Sequence, residues 1–452
     1  MTTTAKFVTG STLRHVITMT LSASIGLVAV FAVDALNLFY ISKLGQSELA
    51  AAVGYAGTLL FFHTSIAIGL SIAATALVSR ALGSGKRDYA KQLSGAALIS
   101  MAAIMVFLTI LTFPFLRPLV EALGATGKTA DLAVRFMHFV LPSIPVMGLG
   151  MCMGALLRAV GDAKQSMYVT LSAALCTALL DPLLIFVFDL GLDGAAIATS
   201  ISRLLMLTVG FAALKGKHGL LAMPKTGIYK TEMNAYLLIA VPAVLTQIAT
   251  PVGNTIVTRF MAGYGDSAVV AWSIIGRLIP VAFGVIFALS GAVGPIVGQN
   301  LGAQRFDRIR TTIQDSLKVT VVYVLAVWLL LALTRHQIAG FFSATGQAED
   351  LIAFFCLAVA GSFLFNGTLF VANAAFNNLG FALYSTLLNW GRATLGVIPF
   401  VWVGAHYFGA VGVLAGYGLG VVLFGVIGGV LCFKVLARLE RESAQKKQAA
   451  SI

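Results

Sequence analysis

Twelve long apolar runs separated by short polar segments constrain this chain more than any single residue. They fall at about 16–41, 49–80, 91–115, 130–157, 165–188 and 194–214, then at 233–260, 269–299, 309–333, 351–377, 383–406 and 411–436. A bilayer core takes about 20 helical residues, so each run is long enough to cross it and little chain remains for a domain outside. The expected fold is therefore an all-α membrane protein with twelve transmembrane helices. With 59% apolar residues and only 10% charged, the chain is excluded from the soluble enzymes. Continuous apolar stretches such as 98–113 lack the alternation that a lumen imposes, which excludes a transmembrane β-barrel.

A net charge of +13 raises the question of nucleic acid, but the basic residues are not gathered in one patch. About two-thirds of the 30 lie in alternate loops, including Lys86, Arg87 and Lys91, Lys215 and Lys217, Arg305 and Arg308, and Arg438 and Arg441. The opposite loops carry acids such as Asp189, Asp193, Asp266 and Glu349. By the positive-inside rule the basic loops and both termini face the cytoplasm, in a cytoplasmic (inner) membrane, and no nucleic acid partner is expected. Lys6 and Arg14 precede an apolar stretch too long for a signal peptide, so this reads as a permanent first helix. Cys152, Cys176, Cys356 and Cys432 all fall within runs, at spacings that match no metal or disulfide framework. Neither metal nor cofactor is expected.

The chain repeats itself at an offset of 219 residues. Leu82 and Gly83 recur as Leu301 and Gly302, Asp88 as Asp307, and Ala125-Thr126-Gly127 as Ala344-Thr345-Gly346. Ser143, Gly148 and Gly161 recur as Ser362, Gly367 and Gly380. Six helices separate the copies, so the two six-helix repeats are parallel, related by an axis along the membrane normal. The expected organisation is an N-lobe at 1–214, a cytoplasmic connector at 215–232, a C-lobe at 233–436 and a cytoplasmic tail at 437–452. Transporters of this construction bind substrate between halves and alternate access by rocking one against the other.

Two paired segments, 81–88 (ALGSGKRD) and 297–305 (VGQNLGAQR), follow helices 2 and 8. With 44–45 (LG), 48–52 (ELAAA), 157–162 (LRAVGD) and 191–199 (GLDGAAIAT), they occur in order within the repeat. The pattern resembles the multidrug and toxic compound extrusion (MATE) transporters over nearly the whole chain. That resemblance implies a V-shaped bundle of two lobes exporting organic cations in exchange for protons or sodium. The same superfamily includes flippases for lipid-linked precursors, so the fold leaves the cargo open.

Charges within spans are costly and are functional candidates by default. Asp34 and Asp181 are the two carboxylates deep in predicted spans, each seven residues before its outer helix end at Ile41 or Phe188. At about 1.5 Å per residue both lie about 10 Å from that end, at one depth in the N-lobe. Asp315 lies near the inner end of helix 9. Pro182 removes the backbone bond to Ala178 and is expected to kink the helix beside Asp181. In the resembled family the helix 5 acid is a proton-site residue, and Asp181 matches it; Thr177 stands where the family often has Asn, its hydroxyl available to the acid. The family's helix 1 acid lies seven residues before the Leu-Gly pair, which here is Asn37. Asp34, one turn away on the same face, is expected to take its role. Thr199, in the helix 6 motif, completes the candidate coupling set.

Arg203, Arg277 and Arg392 also fall inside spans. They either pair within helix packing or form a basic cavity for an anionic group, and convergence on one cleft would favour the second. Gln247 is the first long polar side chain after Pro242, and no carboxylate lies deep in a C-lobe span, so protons are favoured over sodium. Met147, with Phe136, Met137 and Phe139, reads either as a soft cavity wall for flat cations or as lipid-facing packing. His63 and His138 read as packed polar groups. The expected function is antiport of organic cations, probed against an anionic or lipid-linked precursor exporter and against sodium-coupled drug export. A membrane enzyme has no nucleophile with its base, no histidine cluster and no phosphate loop to support it. The expected partners are a small-molecule substrate and the bilayer, with the protein a monomer.

Overall fold

The computed structural model describes residues 5–44 and 47–450, which are helical almost throughout, with no strand among the described residues. Gly45 of the first Leu-Gly pair lies outside them. The helices are α1 (Thr12–Ser42), α2 (Ser47–Gly83), α3 (Arg87–Thr112), α4 (Leu116–Ala122), α5 (Gly127–Val140), α6 (Ile144–Val160), α7 (Ala163–Pro182) and α8 (Gly191–Phe211). There follow α9 (Thr226–Ala262), α10 (Asp266–Gly302), α11 (Phe306–Leu333), α12 (Arg335–Phe341), α13 (Gln347–Leu357), α14 (Phe363–Leu379), α15 (Ala382–Ala393) and α16 (Ile398–Ala450).

Among the described residues, eleven stretches are long and apolar enough to cross a membrane, and the chain is a multi-pass membrane protein. The eleventh, Ala382–Gln445, holds two crossings in one. Gly409, at φ +61° and ψ −145°, breaks α16 in a conformation that side chains with a Cβ rarely adopt. On either side of the break the backbones touch. A Cβ on Gly412 would overlap the Gly404 carbonyl, one on Gly416 that of Phe400, and one on Gly420 that of Gly396. Contacts that step by four residues in opposite directions along the chain describe an antiparallel helical hairpin, closed by small residues as membrane helices allow. The twelve expected crossings are therefore present.

The repeat extends further than the matching residues. Adding 219 carries the bounds of α4 onto those of α12 and those of α6 onto those of α14, and the start of α7 onto that of α15. The short 3-10 turns Leu141–Ser143 and Val359–Ser362 interrupt the fourth and tenth crossings at equivalent places. Gly161 and Gly380 end α6 and α14 in the left-handed region, at φ +92° and +94°. Even one side-chain bond recurs: Ser166 Oγ donates to the Gly154 carbonyl at 2.9 Å, and Ser385 Oγ to that of Asn373 at 3.2 Å.

The chain forms two compact units, one of residues 22–82 and 86–244, the other of residues 1–21, 83–85 and 245–452. In the first, α6 is the central helix, packed on α3, α7 and α8. In the second, α14 holds the same place against α10, α11, α15 and α16, with a core that includes Phe283 stacked on Phe363 at 4.1 Å. The second unit also takes the start of the chain. Phe7 is 1% exposed; its N–H donates to Gln299 Oε1 at 2.9 Å, and its carbonyl accepts from Arg308 Nη2 at 2.9 Å and Asn300 Nδ2 at 3.2 Å. Gly83, which belongs to this unit, lies against the Gln299 backbone.

Connector residues 215–225 are pinned rather than free. Asp162 caps α7 by accepting from the Gln165 N–H, and its other oxygen accepts from Lys217 Nζ at 2.8 Å and His218 Nε2 at 2.9 Å. Arg87 donates to the His218 carbonyl at 2.7 Å, and Ala222 lies on Gly95 of α3. Burial pushes the Asp162 carboxyl up, but the bonds from Lys217, the Gln165 amide and His218 outweigh it and hold the group below the usual carboxylate range. A depressed folded-state value means that this stabilisation is present above the unfolded value, about 3.9, and lost as pH falls through the folded one. At neutral pH, Asp162→Asn is expected to speed tryptic cleavage after Lys215 and Lys217 by roughly fivefold, because local opening sets such rates. Cleavage at the wild-type rate would show that the clasp contributes nothing.

Candidate functional site

Asp181 is completely buried near the end of α7. Its Oδ2 accepts a hydrogen bond from Asn37 Nδ2 of α1 at 2.8 Å, and its Oδ1 is buried without a hydrogen-bond partner among the described residues. A buried carboxylate oxygen without a donor is costly, and such sites persist where they are used. Pro182 follows, and the regular helix ends there: residues Leu183–Val187 continue as a π-helical turn, with the Phe188 N–H bonded back to the Leu183 carbonyl at 3.0 Å. The expected kink is thus a change of helix type, a form frequent at functional sites. Tyr40, one turn beyond Asn37, packs edge-on against Phe186 of this turn at 6.0 Å. A polar and an aromatic contact therefore join α1 to the end of α7.

Asp34 and Thr177 stand outside this contact. Asn37, the position found by counting back from Leu44, makes the bond to Asp181, not Asp34. Asp34 is exposed on α1. One turn along a helix preserves the face only approximately: at about 100° per residue, three residues leave the Asp34 side chain about 60° away from the direction of Asn37. Thr177 does not reach the acid with its hydroxyl, which donates to the Ala173 carbonyl four residues back at 3.1 Å. Thr199 does the same to Ala195 at 2.9 Å. In apolar helices this local bond satisfies a hydroxyl without any partner helix, a competitor that side-chain chemistry alone did not reveal.

Arg203 is buried in the first unit, where Nη1 donates to Ser143 Oγ at 2.8 Å and the Val140 carbonyl at 3.2 Å. Arg392 is buried in the second, where Nη2 donates to Thr250 Oγ1 at 3.2 Å. Arg277 of α10 is exposed. Two of the three thus serve helix packing. Gln247 is half-buried in α9, and Met147 Sδ accepts from Thr64 Oγ1 at 3.9 Å within the first unit. Phe136 and Met137 are buried in packing, whereas Phe139 is exposed. His63 bonds the Leu59 carbonyl and Thr112, and His138 packs edge-on against Phe113. Asp315 accepts from Thr12 and from Lys318, which places it with the docked start of the chain. The basic flank of the first apolar run carried no sign of that docking.

The profile of one family, MatE, matches residues 16–183 and 242–403. The chain is 28% identical over 432 residues to the FAD transporter of Shewanella oneidensis, a match that covers 94% of each. It is 26% identical over 389 residues to the multidrug export protein MepA of Staphylococcus haemolyticus, covering 84% of each. Its backbone is similar to that of the Vibrio cholerae MATE transporter VcmN in the bent form, with a TM-score of 0.90 at 24% identity, covering 94% of this chain and 97% of the other.

Proposed function

The chain belongs to the MatE family of membrane transporters and is not an enzyme, and from that premise we propose that it exports organic cations in exchange for protons. The observation that carries this reading is the buried Asp181, bonded to Asn37 through one oxygen and bare at the other. The bare Oδ1 is where a proton adds. Ionised, the pair places a negative charge in the first unit that favours a cation nearby; protonated, it loses that charge and the attraction with it. One carboxylate thus serves proton and cargo in turn, which is the linkage that exchange requires. Asp34 adds to the field without replacing Asn37 in the contact. The basic loops orient the protein with both termini in the cytoplasm of a cell whose inner membrane it occupies, so that an inward proton gradient drives export.

A second reading has a specific observation behind it. The Shewanella oneidensis relative is named as a transporter of FAD, an anionic dinucleotide, and Arg277 is the one deep arginine left exposed. The two readings separate in proteoliposomes preloaded with unlabelled compound. Under the first, a lipophilic fluorescent cation exchanges against itself at least about tenfold faster than in protein-free vesicles, and FAD leaves that rate unchanged. Rapid exchange of FAD with no exchange of the cation would replace the first reading by the second.

A further inference from the structure

Asp181 and Phe186 both meet α1, the first on Asn37 and the second on Tyr40. Asn37 and Tyr40 are three residues apart and so are neighbours on one face of α1. Asp181 and Phe186 are five residues apart, and in an unbroken α-helix, at about 100° per residue, they would stand about 140° from one another around the axis. Only one of them could then face α1. The π turn removes that conflict. Its bonds close on the fifth residue, as the Phe188 N–H does on the Leu183 carbonyl at 3.0 Å, so five residues return to nearly the same face.

A wide turn needs room, and α8 supplies it at Gly194. A Cβ built on Gly194 would stand 2.7 Å from the carbonyl carbon and oxygen of Leu184 and 3.0 Å from the Ile185 nitrogen. Those neighbours are backbone, which cannot swing aside as a side chain does. At its far end the turn is closed by Asp189, whose φ of +54° lies in the left-handed region and lets the Leu190 N–H reach the Leu184 carbonyl at 3.1 Å. A residue other than glycine persists there only where its surroundings hold it. Those surroundings are fixed: Arg135 of α5 pairs with Asp193 beside Gly194, and Ile185 is completely buried. The half of the chain without the acid lacks this turn. At the offset of 219, Asp181 and Pro182 fall on Phe400 and Val401, and residues 402–406 lie within α16, which is regular there.

We infer that Tyr40, Phe186 and Gly194 are positioning residues for Asp181, a role that rests on the coupling reading of that acid. Gly194 seats the π turn, the turn carries Phe186 onto Tyr40, and the ring contact keeps α1 in the register at which Asn37 donates to the carboxylate. All three act through the Asn37 bond. A donor to a carboxylate favours its ionised form, so loosening the ring contact is expected to move the pH dependence of export to higher pH.

A double-mutant cycle on the pH profile of cation export in proteoliposomes tests this. Tyr40→Leu and Phe186→Leu are each expected to move the midpoint upward by about half a pH unit or more. The two together are expected to move it no further than either alone, because the same contact is lost in all three proteins, and Tyr40→Phe, which keeps the ring, is expected to leave it in place. Hydrogen exchange in peptides spanning 183–192 of the full-length protein in detergent reads the turn without transport. The Phe188 and Leu190 amides are expected to exchange about fivefold faster or more in Gly194→Ala, and at the wild-type rate in Asp181→Asn, which keeps the Asn37 bond. The ring variants keep the test open even where Gly194→Ala fails to fold. An unmoved profile in either leucine variant, shifts that add in the pair, a shifted profile in Tyr40→Phe, or wild-type exchange in a folded Gly194→Ala would overturn the assignment. Export by Asp181→Asn with the wild-type pH profile would instead remove the coupling reading, while the exchange rates would still report on the turn, so the two failures are distinguishable.

Discussion

Asp181→Asn is expected to lower proton-driven export by about 100-fold or more while leaving the protein folded. The substitution is nearly isosteric, and the carbonyl oxygen of the new amide still accepts from Asn37 Nδ2, so the contact between α1 and α7 survives. What is lost is the oxygen that takes up and releases a proton. Neutralising the group also removes a buried charge, so stability is expected to hold or rise. Asp34→Asn makes the useful contrast. Asp34 is exposed and outside the Asn37 contact, so its loss should cost less than about tenfold. Export by Asp181→Asn at more than about a third of the wild-type rate, with the variant monodisperse on gel filtration, would remove Asp181 from the coupling step.

The second large effect concerns the fold. Gly412→Val is expected to eliminate most of the folded protein, because even its Cβ would overlap the Gly404 carbonyl across the α16 hairpin. Overpacking of a tight core costs about 1–3 kcal/mol when side chains can move aside; here the obstruction is backbone, and the cost lies at or above the upper end. A control lies at Gly276 of α10, where an added Cβ meets nothing within 4 Å, so Gly276→Ala should fold like the wild type. Fluorescence-detected gel filtration of solubilised membranes reads both. A Gly412→Val protein with wild-type yield and melting temperature would mean that the helices on either side of Gly409 do not approach as described.

The crossings and the repeat were legible because both follow from long-range regularity: a span needs about 20 apolar residues whatever they pack against, and a duplicated fold keeps its offset. Gly161 and Asp162 of the LRAVGD segment were also legible in principle, since they are a left-handed helix end and the cap of the next helix. The site was half legible. Counting from Leu44 found Asn37, but the preference for a carboxylate drew attention to Asp34, and only the packing of α1 on α7 decides which side chain reaches Asp181. The glycines at 404, 412, 416 and 420 stand at helical spacing in the sequence, yet they close a hairpin only once Gly409 has turned the chain. The docking of Phe7 and the clasp on Asp162 depend on contacts between segments far apart in sequence. Local patterns carry no record of such partners.

The central claim is that one buried carboxylate exchanges protons for cargo. Proteoliposomes loaded with a fluorescent lipophilic cation, held in sodium-free buffer and given an imposed pH gradient, test it most directly. The expected result is cation movement against the proton flow, dependent on the size of the gradient, accompanied by alkalinisation of the compartment that supplies the protons, and absent in Asp181→Asn. Movement that ignores the pH gradient and follows an imposed sodium gradient instead would contradict the claim.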